Sequence, residues 1–216
     1  MKNFPLGAIA AAAVAAPLLS QAESNLAAST ATTASAQLDF KITIPKVLFL
    51  RVGSGTDFVN GTTVNLMDFT VPADKLGDGT SVAASSTSGD LGNGAVTVRV
   101  FANHGNSATL TASTTGALTN AAAGGDTIPW TEIVATAAAL PAASHLAGYA
   151  TTVPHPAFPA SGTGVGAVTT LTGTGKVIRA DGQWTFAYKN SAPVAAGSYG
   201  GVSTQNSRVT YTVTQP

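Results

Sequence analysis

Residues 37–44, QLDFKITI, alternate polar and apolar side chains without a break. Strict period-two alternation describes a β-strand with one buried and one wet face, and it does not fit an amphipathic helix. The same even phase runs back through Ala36, Ala34, Thr32, Thr30 and Ala28 to Leu26, so this lead reads as one long potential strand. Its apolar teeth are Leu38, Phe40, Ile42 and Ile44. They would seat either in the chain's own sheet or in a groove of a neighbour, because periodicity does not separate pairing in cis from pairing in trans.

The rest of the chain repeats that signal in shorter runs. Apolar alternation recurs at Val64 and Leu66, at Val96, Val98 and Val100, at Ala108, Leu110 and Ala112, at Trp184, Phe186 and Tyr188, and at Val209, Tyr211 and Val213. Gly, Asn, Asp or Pro stand between the runs, which predicts an all-β antiparallel sandwich. Asp181-Gly182 reads as a two-residue hairpin turn and Asn60-Gly61 as a second turn, since both pairs tolerate positive φ. His104, Gly105 and Asn106 read as the loop between strands ending at Ala102 and beginning at Ala108. Residues 133–140 are Ala-rich and closed by Pro141, which fits a short helix, and residues 126–130 read as a bend into an edge segment. Residues 141–166 carry four prolines and read as a long surface loop with a strand fragment at 149–153, ending in a flexible glycine run at 162–166.

Residues 1–22 are written as a cleaved export signal. Lys2 supplies the positive start, residues 6–19 the apolar core, and Ser20, Gln21 and Ala22 the small-x-small site. That core is shorter than a membrane-spanning helix, and no basic stop-transfer cluster follows it. The expected organisation is a signal at 1–22, an Ala/Ser/Thr-rich flexible lead at 23–36 and one sandwich domain at 37–216. The expected location is secreted, in the periplasm or on the outer cell surface, with no stable membrane span after cleavage.

Composition narrows the function. Only 9% of the 216 residues are charged and the formal net charge is zero. A protein that neutralises phosphates needs a basic face, so nucleic acid is excluded as a partner. There is no cysteine, so an exported chain of this kind must stand on its core alone. Strand faces rich in threonine, such as Thr109, Thr111, Thr185, Thr210, Thr212 and Thr214, stay wet without charge.

Candidate chemistry is sparse. His104, His145 and His155 have no metal-ligand spacing and read as loop residues. Asp74, Asp78 and Asp90 lie in a Gly/Ser-rich stretch that lacks the ligand spacing of a calcium loop. The 162–166 run lacks the strand-turn-helix setting of a nucleotide loop, and Glu132 is the only glutamate in the body. No catalytic residue, cofactor or metal is therefore expected. A secreted carbohydrate-binding module is the alternative, with Trp130 and Tyr199 as stacking rings; Trp184 shares its phase with Phe186 and Tyr188 and is expected to be buried.

The signal, the Ala/Thr-rich lead, the alternating 38–44 strand, the Gly/Thr-rich body and the closing RVTYTV run at 208–213 together resemble secreted pilin-type subunits of Gram-negative bacteria, similar to those of chaperone-usher fibres. That resemblance implies an immunoglobulin-like sandwich. It also implies self-association, or association with a related subunit, by donation of an amino-terminal strand through Leu38, Phe40, Ile42 and Ile44. The expected function is a structural or adhesion protein of the cell surface.

Overall fold

A computed structural model describes residues 24–30, 33–120, 122 and 126–215. The expected signal at 1–22 lies outside the described residues. The chain divides into two compact units, Met1–Ile44 and Pro45–Pro216. The second unit begins at Pro45, not at Gln37 where the alternation predicts the domain to open.

The body is all-β. Its strands in chain order are β1 (Leu48–Val52), β2 (Val82–Ala83), β3 (Ala95–Ala102), β4 (Ser107–Thr115), β5 (Leu118–Thr119), β6 (Thr127–Ile128), β7 (Ile133–Ala138), β8 (Thr163–Val165), β9 (Thr169–Thr172), β10 (Ile178–Tyr188) and β11 (Thr210–Thr214). The first sheet runs β1-β3-β10, with β2 continuing along the β3 side of β10 and β7 on its other side. The second sheet runs β11-β4, with β8 and β9 sharing the far side of β4. Each named pairing is antiparallel.

The two sheets share one core, which makes the arrangement sandwich-like. Val96, Val98 and Val100 of β3 and Ile178, Ala180, Trp184 and Phe186 of β10 meet Ala108 and Leu110 of β4 and Leu171 of β9. The period-two pattern produces this directly, since successive side chains alternate between faces. Trp184 is fully buried, and its indole N–H donates to Val153 O at 2.7 Å, so the ring is buried without an unsatisfied donor. The second sheet's outer face carries Thr109, Thr111 and Ser113, whose hydroxyls reach the β11 carbonyls of Thr214, Thr212 and Thr210.

Several local expectations are corrected. Asp181-Gly182 is not a turn: both residues lie inside β10, opposite Arg99 and Val98 of β3. Beyond the end of β7 the 150–153 segment takes its place beside β10, with Ala150 N–H donating to Arg179 O and Asp181 N–H to Ala150 O, each at 2.9 Å. Glycine at 182 answers that approach, since a Cβ there would stand 3.0 Å from Ala138 O and 3.1 Å from Val153 N. Residues 133–138 form strand β7, not a helix, because they pair with β10 along its aromatic half, and tertiary pairing overrides the alanine propensity. Residues 163–165 form β8 against β4 instead of a free linker. The 141–166 stretch is largely irregular but not confined to the surface, for Val153 and Pro156 are fully buried.

Residues 60–71 form no strand, and their phase is opposite to that expected: Val64 and Leu66 are exposed while Met67 and Phe69 pack against the core. The turn expected at Asn60-Gly61 falls earlier, where Val59 N–H donates to Thr56 O. The loop around His104 does join β3 to β4, and it carries the chain from one sheet to the other.

Candidate functional site

The arm, considered by itself, has no strand among its described residues. Residues 37–44 have a strand's sequence pattern but, among the described residues, no ladder partner, and a strand's hydrogen bonds exist only when a neighbour supplies the other half. Leu38 is 72% exposed, Phe40 84%, Ile42 85% and Ile44 77%. Four large apolar side chains in one phase thus stand exposed.

In the body, the two sides of the sandwich differ. On one side β1 lies against β11, so the edges of the two sheets approach each other. On the other side β7 pairs only with β10 among the described residues. Ile133, Ala135 and Ala137 turn toward the core, whereas Val134 and Thr136 face out. Between β7 and the 155–158 segment runs a groove of about 370 Å³ lined by Trp130, Ile133, Ala135, His155, Phe158 and Lys189, among others. Its lining is largely apolar, and the unpaired edge of β7 offers main-chain donors and acceptors alongside.

His155 anchors one wall. Its Nε2 lies 2.8 Å from the Tyr211 hydroxyl, and its ring meets Phe158, Trp184, Phe186 and Tyr211 edge-on, with centroids 4.6–5.5 Å away. Burial pushes the imidazole down from 6.5 to about 4, and the same desolvation pushes the Tyr211 phenol up. The wall is therefore neutral at physiological pH.

The proposed stacking rings do not form an exposed pair. Trp130 is 5% exposed, packs on Phe158 and donates its indole N–H to Gly116 O at 2.7 Å. Tyr199 is half-buried, its hydroxyl held by Asp126 at 2.8 Å and by Ala195 O at 2.9 Å. Of the acidic trio, Asp74 lies in a 3-10 turn, Asp78 binds Thr80, and Asp90 binds Arg51 and the Thr97 N–H. No cluster able to hold a metal occurs among the described residues.

A charged row on the first sheet's outer face was missed by the sequence reading. Arg51 of β1, Arg99 of β3 and Asp181 of β10 stand side by side in register. Two loops cover them. Asp57 bridges Arg51 and Arg99 from one loop, and from the other His145 Nδ1 meets Asp181 at 2.6 Å while Ser144 O accepts from Arg99 at 2.8 Å. Asp181 also accepts the Leu146 N–H at 2.9 Å. The cluster fastens loops to the sheet, and Arg51, Asp90, Arg99 and Ser144 line a pocket of about 430 Å³ beside it, where Arg99 Nε has no hydrogen-bond partner among the described residues. The available signal was the charged odd positions of two strands whose even positions are apolar. It was obscured because Asp181-Gly182 has the composition of a turn.

No family model, no curated protein and no solved structure matches this chain. Among the described residues no helix is long and apolar enough to cross a membrane.

Proposed function

We propose that this chain is an exported structural or adhesion protein of the bacterial cell surface, a fibre-type subunit with an immunoglobulin- or pilin-like sandwich that assembles by β-strand addition. The observation that carries the reading is the arm: Leu38, Phe40, Ile42 and Ile44 are exposed in one unbroken phase and, among the described residues, have no partner strand. Main-chain hydrogen bonds to a sheet edge would supply affinity, and alternate side chains entering a groove would set the register.

The β7 edge is the acceptor this reading favours, because it combines an unpaired edge with an apolar groove. The strand order also favours an arm from another copy. The chain enters the body at β1, and β1 and β7 are the two outer strands of the first sheet. Three inter-strand spacings separate them, about 14 Å, and β1 starts level with Ile178 of β10 whereas β7 lies level with Gln183–Tyr188, roughly 16 Å further along the strands, so an arm turning back across its own sheet would spend about six residues on the crossing. Phe40, Ile42 and Ile44 would be lost as anchors. An arm from a neighbour loses none, and a head-to-tail contact of this kind builds an open chain of subunits.

The test is the variant Phe40→Asp with Ile42→Asp, followed by light scattering. A carboxylate forced into an apolar groove costs several kcal/mol, so the parent's oligomers should disappear while the body keeps its β-rich circular dichroism. A peptide copying residues 37–44 should then bind the variant. A parent that is monomeric at every concentration overturns strand addition.

A further inference from the structure

The chain contains four Asx-Gly pairs, at residues 60–61, 78–79, 93–94 and 181–182, and the fold treats them very differently. Asp181-Gly182 is locked in β10. Gly79 N–H donates to Asn190 O, and Gly94 N–H donates to Ser88 O, both at 2.9 Å. Asn93 is further held in a left-handed turn at φ 52°, its own N–H on Ser86 O.

Asn60-Gly61 is the exception. Both residues are exposed, and among the described residues Gly61 N–H has no acceptor. A Cβ built on Gly61 would meet nothing within 4 Å. The loop that carries the pair is fastened on either side of it. Asp57 is held by Arg51 and Arg99, and Asn65 Oδ1 accepts from Ser54 N–H at 2.7 Å while its amide donates to Ser54 Oγ at 3.0 Å. Between those anchors the backbone is free to bring the Gly61 nitrogen over the Asn60 side chain.

We propose that Asn60 is a site of spontaneous covalent modification by deamidation. The Gly61 amide nitrogen, deprotonated by solvent base, attacks Asn60 Cγ. The new C–N bond closes a five-membered succinimide, the Cγ–NH₂ bond breaks, and ammonia leaves with the proton it needs from water. Water then adds to either succinimide carbonyl, giving aspartate or isoaspartate. No electron transfer is involved, and glycine's missing side chain is what leaves the attack unhindered. The product puts a negative charge on a chain of zero formal net charge, at a loop tip whose anchors are untouched.

The experiment incubates the full-length protein in mildly alkaline buffer and follows each Asx-Gly peptide by mass spectrometry, with methyltransferase labelling of isoaspartate. Conversion should appear at Asn60 well before Asn93 in the folded protein. In urea the two asparagines should convert at similar rates, because the protection of Asn93 belongs to the fold. Asn60→Gln should lose the early isoaspartate signal, and Gly61→Ala should slow it. Conversion of Asn93 first, or an Asn60-to-Asn93 ratio that is the same folded and unfolded, overturns the proposal.

Discussion

His145 Nδ1 lies 2.6 Å from Oδ1 of Asp181, a carboxylate with no solvent exposure, and this contact fastens the 144–149 loop to the middle of β10. Asp181→Ala would remove at once the partner of His145, the acceptor of the Leu146 N–H and one of the carboxylates facing Arg99. Breaking a buried pair from one side costs about 3–5 kcal/mol. Urea denaturation should show a midpoint lowered accordingly, and an unchanged midpoint would mean that the row contributes nothing to stability.

Gly182 gives a second prediction of a different kind. Its φ is not in the left-handed region, so the constraint is space alone. Gly182→Ala places a methyl group against Ala138 O and Val153 N, both backbone atoms. Overpacking of this sort costs about 1–3 kcal/mol. Thermal unfolding should report the loss, whereas Gly61→Ala, in open space, should leave the transition in place.

The same residues show how much was legible. The alternating runs over β3, β4, β10 and β11 marked the core strands, because burial against a second sheet requires that period. What the sequence hid was context. Asp-Gly has the same composition in a hairpin turn and in a strand crowded by a neighbouring backbone. The alanines of β7 become a strand only because β10 offers them an edge. The apolar groove was invisible as well, since it is assembled from β7 and from a proline-rich segment without periodicity. The arm pattern was plain, but only a partner can make it a strand.

The core prediction rests on Phe186, which is buried in β10 beside His155. Phe186→Ala should cost on the order of 3–5 kcal/mol, through lost transfer energy and the void left behind. A denaturation midpoint equal to the parent's would place this side chain outside the core.

Acid should weaken the body through His155. Its imidazole titrates near 6.5 when unfolded and is pushed down to about 4 by burial in the fold. The unfolded chain therefore takes up the proton first. The stability is fully present above the unfolded value and is lost as pH falls from 6.5 through 4, by roughly 3 kcal/mol at most. Chemical denaturation across that range should show the decline, and His155→Phe should flatten this part of it. A slope unaltered by the substitution would assign acid sensitivity to other groups.

Under the proposed assembly the arm of one copy lies beside β7 of another, and the absence of cysteine from the chain makes a direct measurement clean. Two single variants are mixed: one carries Lys41→Cys on the arm's polar face, the other Thr136→Cys on the outward face of β7. Cross-strand neighbours bring Cβ atoms within about 5.5 Å, close to disulfide range. Mild oxidation should give a disulfide-linked heterodimer with whichever of Thr136→Cys and Val134→Cys lies opposite Lys41→Cys in the register, and little with Thr212→Cys on β11. Absence of cross-links at both β7 positions, or equal cross-linking at Thr212→Cys, would contradict arm donation to β7.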